Sequence, residues 1–286
     1  MTTLNEALTA CLHVDLDDFQ VLHAIGAGPR ARAVLDGLMD SPLSAQIQVP
    51  DLRAPLPDTD ESPLPPRDVL VLLGDARDEG VLDQLEVVAQ AASVAGQTIL
   101  ALISGAAGTP GEGDAPALGP AGLRSLWRYV DTVLLVPESA ADHTPDRPLD
   151  PGRTGLAQRT RVLLAAIRSY LFEPGLINGD FSDLRAVLSF GGTAALITAD
   201  AEGTRPVRDA LAKILDQPDF EPWLTETTEG LLVVIHVGLD GDLDALKGVV
   251  DELRARMPGL GAIAFATPID LEMANACRIT LLATRS

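Results

Sequence analysis

The stretch "EPGLINGDFSDLRAVLS", residues 173–189, carries the most specific pattern in the chain. A proline ends one apolar helical pattern, and a second helix begins near Asp183, so a turn lies between them. Three side chains with carboxyl or carboxamide groups lie in this turn, namely Asn178, Asp180 and Asp183. Carboxylates can position an attacking water, whereas Asp180 or Ser182 can equally cap the second helix. The pattern alone therefore permits a chemical or a structural role.

Short apolar runs rich in Val, Ile and Leu precede this turn and are typical of buried strands. They occupy residues 19–25, 45–49, 68–73, 98–103 and 131–136. Helical spacing lies between them, over residues 31–40, 81–96 and 121–130. This alternation predicts an α/β fold with a doubly wound parallel sheet, whose ligands bind at the carboxyl ends of the strands.

The second half of the chain has a different order of elements. Residues 154–173 have the spacing of one long central helix. Two apolar runs, residues 261–269 and 277–284, follow one another near the end and predict an antiparallel, hairpin-like pair in an α+β domain. We predict a nucleotide-type domain, a central helix and a smaller α+β domain over residues 1–152, 153–173 and 174–286.

Composition limits the classes of partner. The formal net charge is −20. Nucleic acids and anionic membranes bind surfaces with clustered Lys and Arg, so this charge argues against both as partners. Cys11 and Cys277 form no metal-binding or redox spacing, which indicates two reduced thiols. No basic segment followed by an apolar run begins the sequence, and no apolar stretch has the length of a bilayer span. We expect a soluble, cytoplasmic protein without nucleic-acid or direct membrane contact.

Three stretches resemble the tubulin/FtsZ superfamily. "YVDTVLLVPES" (129–139) resembles the FtsZ strand that carries a V-D-T run followed by I-P-N-D. The stretch at 173–189 is similar to the FtsZ synergy loop, P-G-L-I-N-x-D-F-x-D-V, and its helix. "AIAFATPIDLEMANACRITLLAT" (262–284) resembles the closing FtsZ strands, with F-G-A-T-I-D and then R-V-T-V-I-A-T. The chain is identified as a divergent, bacterial FtsZ-like member of this superfamily.

The resemblance implies a site shared between subunits. Subunits of this superfamily bind GTP on the first domain and stack head to tail, and the synergy loop of one reaches the nucleotide of the next. The positions matching the catalytic Asn and two Asp of the loop are Asn178, Asp180 and Asp183. Gly179 stands where a Leu is usual, and we expect it to loosen the turn.

The resemblance also assigns glycines to phosphate binding. The first phosphate loop matches "IGAGPRARA" (25–33), and the second, G-G-G-T-G-T-G in FtsZ, matches "GDARDEG" (74–80). The glycines retained at these positions are Gly26, Gly28, Gly74 and Gly80. Pro29 removes one amide that would point at a phosphate. Gln158 is the residue near the start of the central helix that would hydrogen-bond a base edge.

Acidic residues make the second loop unsuitable for a triphosphate. Asp75, Asp78 and Glu79 would face the phosphates, and Arg77 cannot offset all three. One pair of unit charges about 4 Å apart is worth roughly 4 kcal/mol at an effective dielectric constant near 20. The same acids complement the dipole of the following helix without any ligand. Their spacing lacks the pattern of a calcium loop, so we predict neither a metal nor a nucleotide, unless altered loops still bind GTP.

The histidines are scattered and match no catalytic motif. We expect His236, within the apolar run "LLVVIHVGL", to be a strand histidine whose ring nitrogens are satisfied by the fold.

These observations predict a cytoskeletal or cell-division paralogue that has lost autonomous GTP binding. Such a protein would use its synergy loop to cap, co-assemble with or regulate a filament of FtsZ or another FtsZ-like subunit, head to tail, or would form a homo-oligomer. The first alternative is a divergent self-assembling GTPase that hydrolyses GTP at a subunit interface. The second is a nucleotide-free structural scaffold.

Overall fold

The computed structural model describes residues 22–39, 47–48, 69–105, 121–136, 155–239 and 241–286. The strands in this part of the chain are β1 (Leu22–Gly26), β2 (Ile47–Gln48), β3 (Val69–Asp75), β4 (Thr98–Ser104), β5 (Thr132–Val136), β6 (Thr193–Glu202), β7 (Gly230–Val237), β8 (Ala262–Ala266) and β9 (Ala276–Arg285). The α-helices are α1 (Gly28–Met39), α2 (Val81–Val94), α3 (Ala121–Leu126), α4 (Gly155–Phe172), α5 (Phe181–Leu188), α6 (Pro206–Leu215) and α7 (Leu243–Arg256). A 3₁₀ turn spans Glu221–Trp223.

The strands form one nine-stranded sheet in the order β2-β1-β3-β4-β5-β6-β9-β7-β8. The strands from β2 to β5 are parallel to their neighbours, as the doubly wound prediction requires. Every residue of β3 and β4 is buried, because helices cover both faces of the sheet. Val71 packs in the core beneath α1 and α4, whereas Leu72 packs in the core beneath α2 and α3. The predicted fold class is confirmed.

The final strands correct one prediction. β8 does not pair with β9; it pairs in parallel with β7, and β9 lies antiparallel between β6 and β7. Burial explains the arrangement, since seven of the ten residues of β9 are buried, as suits a central strand. The five residues of β8 include three that are only partly buried, as suits an edge strand.

The central helix α4 packs on both halves of the sheet. Its residues Leu163, Leu164 and Ile167 are fully buried in a core that contains Leu134 of β5 and Leu232 of β7. β6 continues the first half of the sheet through two residue pairs with β5. The boundary at residues 152 and 153 lies outside the described residues, and the division into domains stays a prediction.

Cys277 is a buried free thiol of β9 in the described part of the chain. Burial raises its pKa to about 12, so the thiol stays protonated at neutral pH. Cys11 lies outside the described residues. Within those residues, none of the helices has the length and apolarity that a membrane crossing requires. The same residues bring together no group of three or more His, Cys, Asp or Glu side chains able to hold a metal ion.

Candidate functional site

The synergy loop, residues 174–184, is fastened to the segment that follows β8. The backbone N–H of Ile177 donates to Thr267 Oγ1 at 2.8 Å, and Thr267 N donates to the Ile177 carbonyl at 2.8 Å. Leu176 N donates to the Thr267 carbonyl at 3.0 Å. A Cβ on Gly175 would lie 2.2 Å from that carbonyl oxygen, so the close approach requires glycine. These contacts fix the position of the loop on the second half of the molecule.

Tyr170, near the end of α4, holds the middle of the loop. Its hydroxyl donates to the Asp180 carbonyl at 2.9 Å and accepts from Asp180 N at 3.0 Å. A Cβ on Gly179 would lie 2.3 Å from Tyr170 Cζ, so the glycine leaves the space that the ring occupies. The expectation that Gly179 loosens the turn is therefore replaced by a packing role. Burial raises the Tyr170 pKa to about 12, and the nearby Asp183 and Asp180 charges act in the same direction.

Two of the three predicted site residues also have structural roles. Asp180 is the N-cap of α5, and its Oδ1 accepts from Ser182 N at 2.5 Å and Asp183 N at 3.4 Å. Asn178 Oδ1 accepts from Gly175 N at 2.9 Å. Capping was one of the roles that the pattern permitted. Asn178, Asp180 and Asp183 are all exposed, so their side chains can also contact another molecule.

An exposed apolar surface adjoins the loop. Its members, which we call the leucine face, are Leu176, Leu239, Leu243 and Leu271, with exposed fractions of 38, 70, 52 and 73%. Leu239 and Leu271 line a cavity of about 470 Å³ beside Gly241. Leu176 Cδ1 lies 3.0 Å from the position that a Cβ on Gly241 would take, so the face reaches the synergy loop.

At the matched phosphate loops, a buried carboxylate binds two arginines. Asp75, the last residue of β3, is 1% exposed. Its Oδ2 accepts from Arg30 Nη1 at 2.8 Å and from Arg77 Nη2 at 2.5 Å, and its Oδ1 accepts from Arg77 Nε at 2.8 Å. Burial by itself raises the Asp75 pKa, but the bonds from Arg77 and Arg30 outweigh burial and hold the pKa well below its usual range. The expectation that Asp75 faces a ligand is therefore wrong, because its charge is used inside the protein.

The backbone N–H groups of the second loop are also used inside the protein. Three of them, those of Ala76, Arg77 and Asp78, donate to protein acceptors, and so does the N–H of Val81 at the start of α2. The acceptors are the Ser104 carbonyl at 2.8 Å, Asp75 Oδ1 at 3.0 Å, the Asp75 carbonyl at 3.0 Å and the Asp78 carbonyl at 3.3 Å. A phosphate-binding loop presents such groups to its ligand.

Protein atoms fill the space beside two of the predicted glycines. A Cβ on Gly28 would lie 2.6 Å from Val81 Cγ2 and 2.9 Å from Asp78 Oδ2. A Cβ on Gly74 would lie 2.7 Å from Leu85 Cδ1 and 2.9 Å from Val81 Cγ1. The structure thus brings the two loops together, but through apolar and acidic side chains.

The remaining two glycines differ from each other. Gly26, the last residue of β1, faces α1, since a Cβ there would lie 3.0 Å from the Ala31 carbonyl carbon. Gly80 precedes α2 with φ of +70°, and no atom of the described residues lies within 4 Å of its Cβ position. Of the four, Gly80 has the open space that a ligand needs.

Gln158 lies elsewhere, in a groove of about 660 Å³ between α4 and the second half of the sheet. The described lining of this groove contains none of the four glycines. His236 lies in the same groove, with Nε2 3.7 Å from Glu173 Oε2. Burial lowers the His236 pKa, although Glu173 opposes the change. Its buried Nδ1 has no hydrogen-bond partner among the described residues, so the expectation that both nitrogens are satisfied is wrong.

Three residues that hold these sites in place were not predicted from the sequence. They are Arg30, Tyr170 and Thr267. Arg30 follows the glycines of the first loop in "GAGPR", and its charge beside an acidic second loop was an available signal. Tyr170 and Thr267 bind backbone groups, which a sequence pattern does not reveal.

Comparison with curated proteins finds similarity to FtsZ proteins. No family model matches the chain. It is 26% identical over 166 residues to the cell division protein FtsZ of Coxiella burnetii, covering 57% of this chain and 43% of that protein. It is 26% identical over 205 residues to cell division protein FtsZ 1 of Archaeoglobus fulgidus, covering 69% and 54%. The chain thus matches about half the length of these relatives. Because one is archaeal, the bacterial assignment stays a prediction.

Solved structures share the fold over almost the whole chain. An empty FtsZ dimer of M. jannaschii superposes with a TM-score of 0.64 at 16% identity, covering 99% of this chain and 92% of that one. The GTPγS-bound protofilament of CetZ2 from Haloferax volcanii superposes with a TM-score of 0.58 at 15% identity, covering 93% and 94%. With its FtsZ relatives and this shared fold, the chain belongs to the tubulin/FtsZ superfamily.

Proposed function

We propose that this protein is a cytoskeletal, cell-division FtsZ-like subunit that does not bind GTP by itself. It acts in the cytoplasm and docks its synergy loop on the nucleotide face of a GTP-bound FtsZ or related subunit. The observation that carries the proposal is the contrast between the two sites. The synergy loop keeps three exposed polar side chains on a fixed backbone, whereas the phosphate loops bond to themselves.

The residues present at the phosphate loops do not fit a nucleoside triphosphate. The Asp75 carboxylate binds the guanidinium groups of Arg30 and Arg77, and three N–H groups of the second loop donate to protein acceptors. Val81 and Asp78 fill the space beside Gly28, and Asp78 and Glu79 remain as further acids. GTP bound to this chain therefore has no part in the proposed mechanism.

The synergy loop supplies the contact in this proposal. Asn178, Asp180 and Asp183 are exposed, and bonds to Thr267 and Tyr170 hold their backbone in place. In a head-to-tail pair, such carboxylates would position water at a partner's nucleotide. The solved relatives support this arrangement, since the CetZ2 structure is named as a GTPγS-bound protofilament and the FtsZ structure as a dimer.

The same partner would cover the leucine face. Exposed apolar patches of this kind mark protein–protein contacts. The face adjoins the synergy loop through Leu176, so a subunit seated on the loop would also cover Leu239 and Leu271. With one working docking surface and a closed nucleotide face, the protein would cap, co-assemble with or regulate a filament.

The docking test measures the GTPase rate and sedimentation of FtsZ from the source organism with added protein. We expect the wild type to change both quantities. Asp180→Asn with Asp183→Asn should abolish the change while keeping the melting temperature, because Asn also caps helices well. An unchanged FtsZ rate and pellet with the wild type would contradict the proposal.

The nucleotide test is an equilibrium titration of the wild type with a fluorescent GTP analogue. We expect no saturable binding at micromolar concentrations. Micromolar binding would favour the divergent self-assembling GTPase instead. Light scattering that shows nucleotide-independent homopolymers, without any effect on FtsZ, would favour the structural scaffold.

A further inference from the structure

The Asp75 carboxylate is bound in the way that proteins bind a small anion. Two guanidinium groups and one backbone N–H converge on its two oxygens, at distances from 2.5 to 3.0 Å. We infer that Asp75 is a built-in anion, which occupies an arginine site that otherwise accepts an oxyanion of the phosphate class. The inference rests on the proposed absence of bound nucleotide and adds what takes its place.

The site joins the ends of three parallel strands. Arg30 comes from the first turn of α1, after β1, whereas Asp75 and Arg77 belong to the β3–α2 connection. Gly105, after β4, has φ of +70°, and a Cβ there would lie 2.6 Å from Asp75 Oδ1. The Asp75 carboxylate therefore bonds to the connections after β1 and β3 and lies against the one after β4.

Charge defines the class of ligand. The buried Asp75 carboxylate binds both arginines, and Asp78 Oδ1 also lies 3.9 Å from Arg30 Nε. Removing the Asp75 charge makes the site more positive by one unit, at the point where both guanidinium groups converge. The side chains of Arg30 and Arg77 are 38 and 33% exposed, which gives a dissolved anion access to both. Guanidinium groups bind tetrahedral oxyanions through paired N–H donors, so phosphate suits the site better than chloride.

A built-in anion has a consequence for the proposed function. The loops of the nucleotide face are held in one arrangement at all times, because the anion is covalently part of the chain. The face then does not respond to nucleotide binding or hydrolysis, and only the partner's nucleotide changes the affinity of the pair.

The test compares the melting temperatures of the wild type, Asp75→Asn and Asp83→Asn in sodium chloride and in sodium phosphate at equal ionic strength. Asp83→Asn is the matched control, because it removes the same charge from an exposed position in the first turn of α2. We expect Asp75→Asn to melt at least about 5 °C below the wild type in chloride, since it removes the buried charge that both arginines bind. Phosphate should restore most of that loss in Asp75→Asn and have little effect on the other two proteins.

Equal phosphate responses in all three proteins would overturn the inference. If Asp75→Asn does not fold in chloride, we expect it to refold in phosphate, and failure to fold in either buffer also overturns the inference. The double variant Asp75→Asn with Arg30→Gln should lose the phosphate response. GTP binding by the wild type would contradict the proposed function, whereas an absent phosphate response contradicts only this inference.

Discussion

Tyr170 and Gly179 show how a single contact fixes the synergy loop. The tyrosine ring occupies the volume in which a larger residue at position 179 would lie, and its hydroxyl binds both backbone groups of Asp180. The ring is buried, with 2% of its surface exposed. Because the space is filled, the loop depends on the absence of a side chain at this position.

We predict that Gly179→Ala destabilises the protein. The added Cβ would lie 2.3 Å from the ring, and forcing the ring to move should lower the free energy of unfolding by about 1–3 kcal/mol. Denaturant unfolding measures this change. Gly248→Ala on α7 is the control, because nothing lies within 4 Å of its Cβ position. Equal effects of the two substitutions would contradict the packing role of Gly179.

His236 gives a prediction about pH. Burial lowers its pKa in the folded state below the ordinary value of 6.5, Glu173 and Asp270 oppose this, and Arg278 and Arg168 support it. The unfolded chain therefore binds more protons below that pH, so the free energy of unfolding falls as the pH drops through about 6.5. His236→Gln should reduce this fall, as measured by denaturant unfolding between about pH 7.5 and pH 5.5.

Glu173→Gln should change the pH dependence of stability due to His236 in the opposite direction. Without the carboxylate, the His236 pKa falls further, because the opposing charge is gone. Stability should then decline more steeply with falling pH than in the wild type. A pH dependence that is identical in both variants and the wild type would contradict the assignment to His236.

The ion pairs of Asp75 show what a sequence does not reveal at the residue scale. The sequence predicts that the acids of "GDARDEG" fit a triphosphate poorly. Arg30 lies 45 positions from Asp75, and only the adjacent ends of β1 and β3 bring the two together. Sequence spacing carries no information about such a contact.

Among the elements, α5 begins directly after Asp180, a candidate site residue of the synergy loop. Asp180 caps the helix through its side chain, so a substitution there changes both helix stability and any contact with a partner. Separating the two effects requires a residue that caps without a charge.

We predict different results for two substitutions of Asp180. Asp180→Ala should lower the free energy of unfolding by about 1 kcal/mol through loss of the cap, whereas Asp180→Asn should leave it almost unchanged. Denaturant unfolding distinguishes them. Equal stability of the alanine variant and the wild type would mean that the cap contributes nothing measurable.

The strands and helices that the sequence predicted best are those with continuous periodicity. The run at 98–103 became β4, and the long helix predicted at 154–173 became α4 (Gly155–Phe172). The pairing of β8 and β9 was predicted wrongly, because order along the chain does not determine order across a sheet. The greater burial of β9 places it centrally instead.

For the molecule as a whole, we expect the leucine face to set how tightly the proposed partner binds. Apolar contact supplies affinity that three exposed polar side chains cannot provide alone. Of the large hydrophobic side chains exposed in the described structure, four form this face and the other two, Val87 and Val94, lie on α2.

We predict that Leu271→Glu weakens association with the FtsZ partner by at least about tenfold, the loss expected for a buried apolar contact worth about 1.4 kcal/mol. Val94→Glu is a matched control, since the exposed fractions of the two side chains are 73 and 75%. Co-sedimentation or surface binding measures the difference. Equal losses from both variants would mean that the leucine face is not part of the contact.

The position of β9 also has a consequence for how the protein is made. β9 is synthesised after β6, β7 and β8, yet it lies between β6 and β7 and pairs with β6 over ten residues. β6 and β7 leave the ribosome before their shared partner β9, so each has an open edge during translation, and open edges can pair with other chains. Completion of this half of the sheet must therefore wait for residues 276–285, and a bound chaperone would protect the open edges until then.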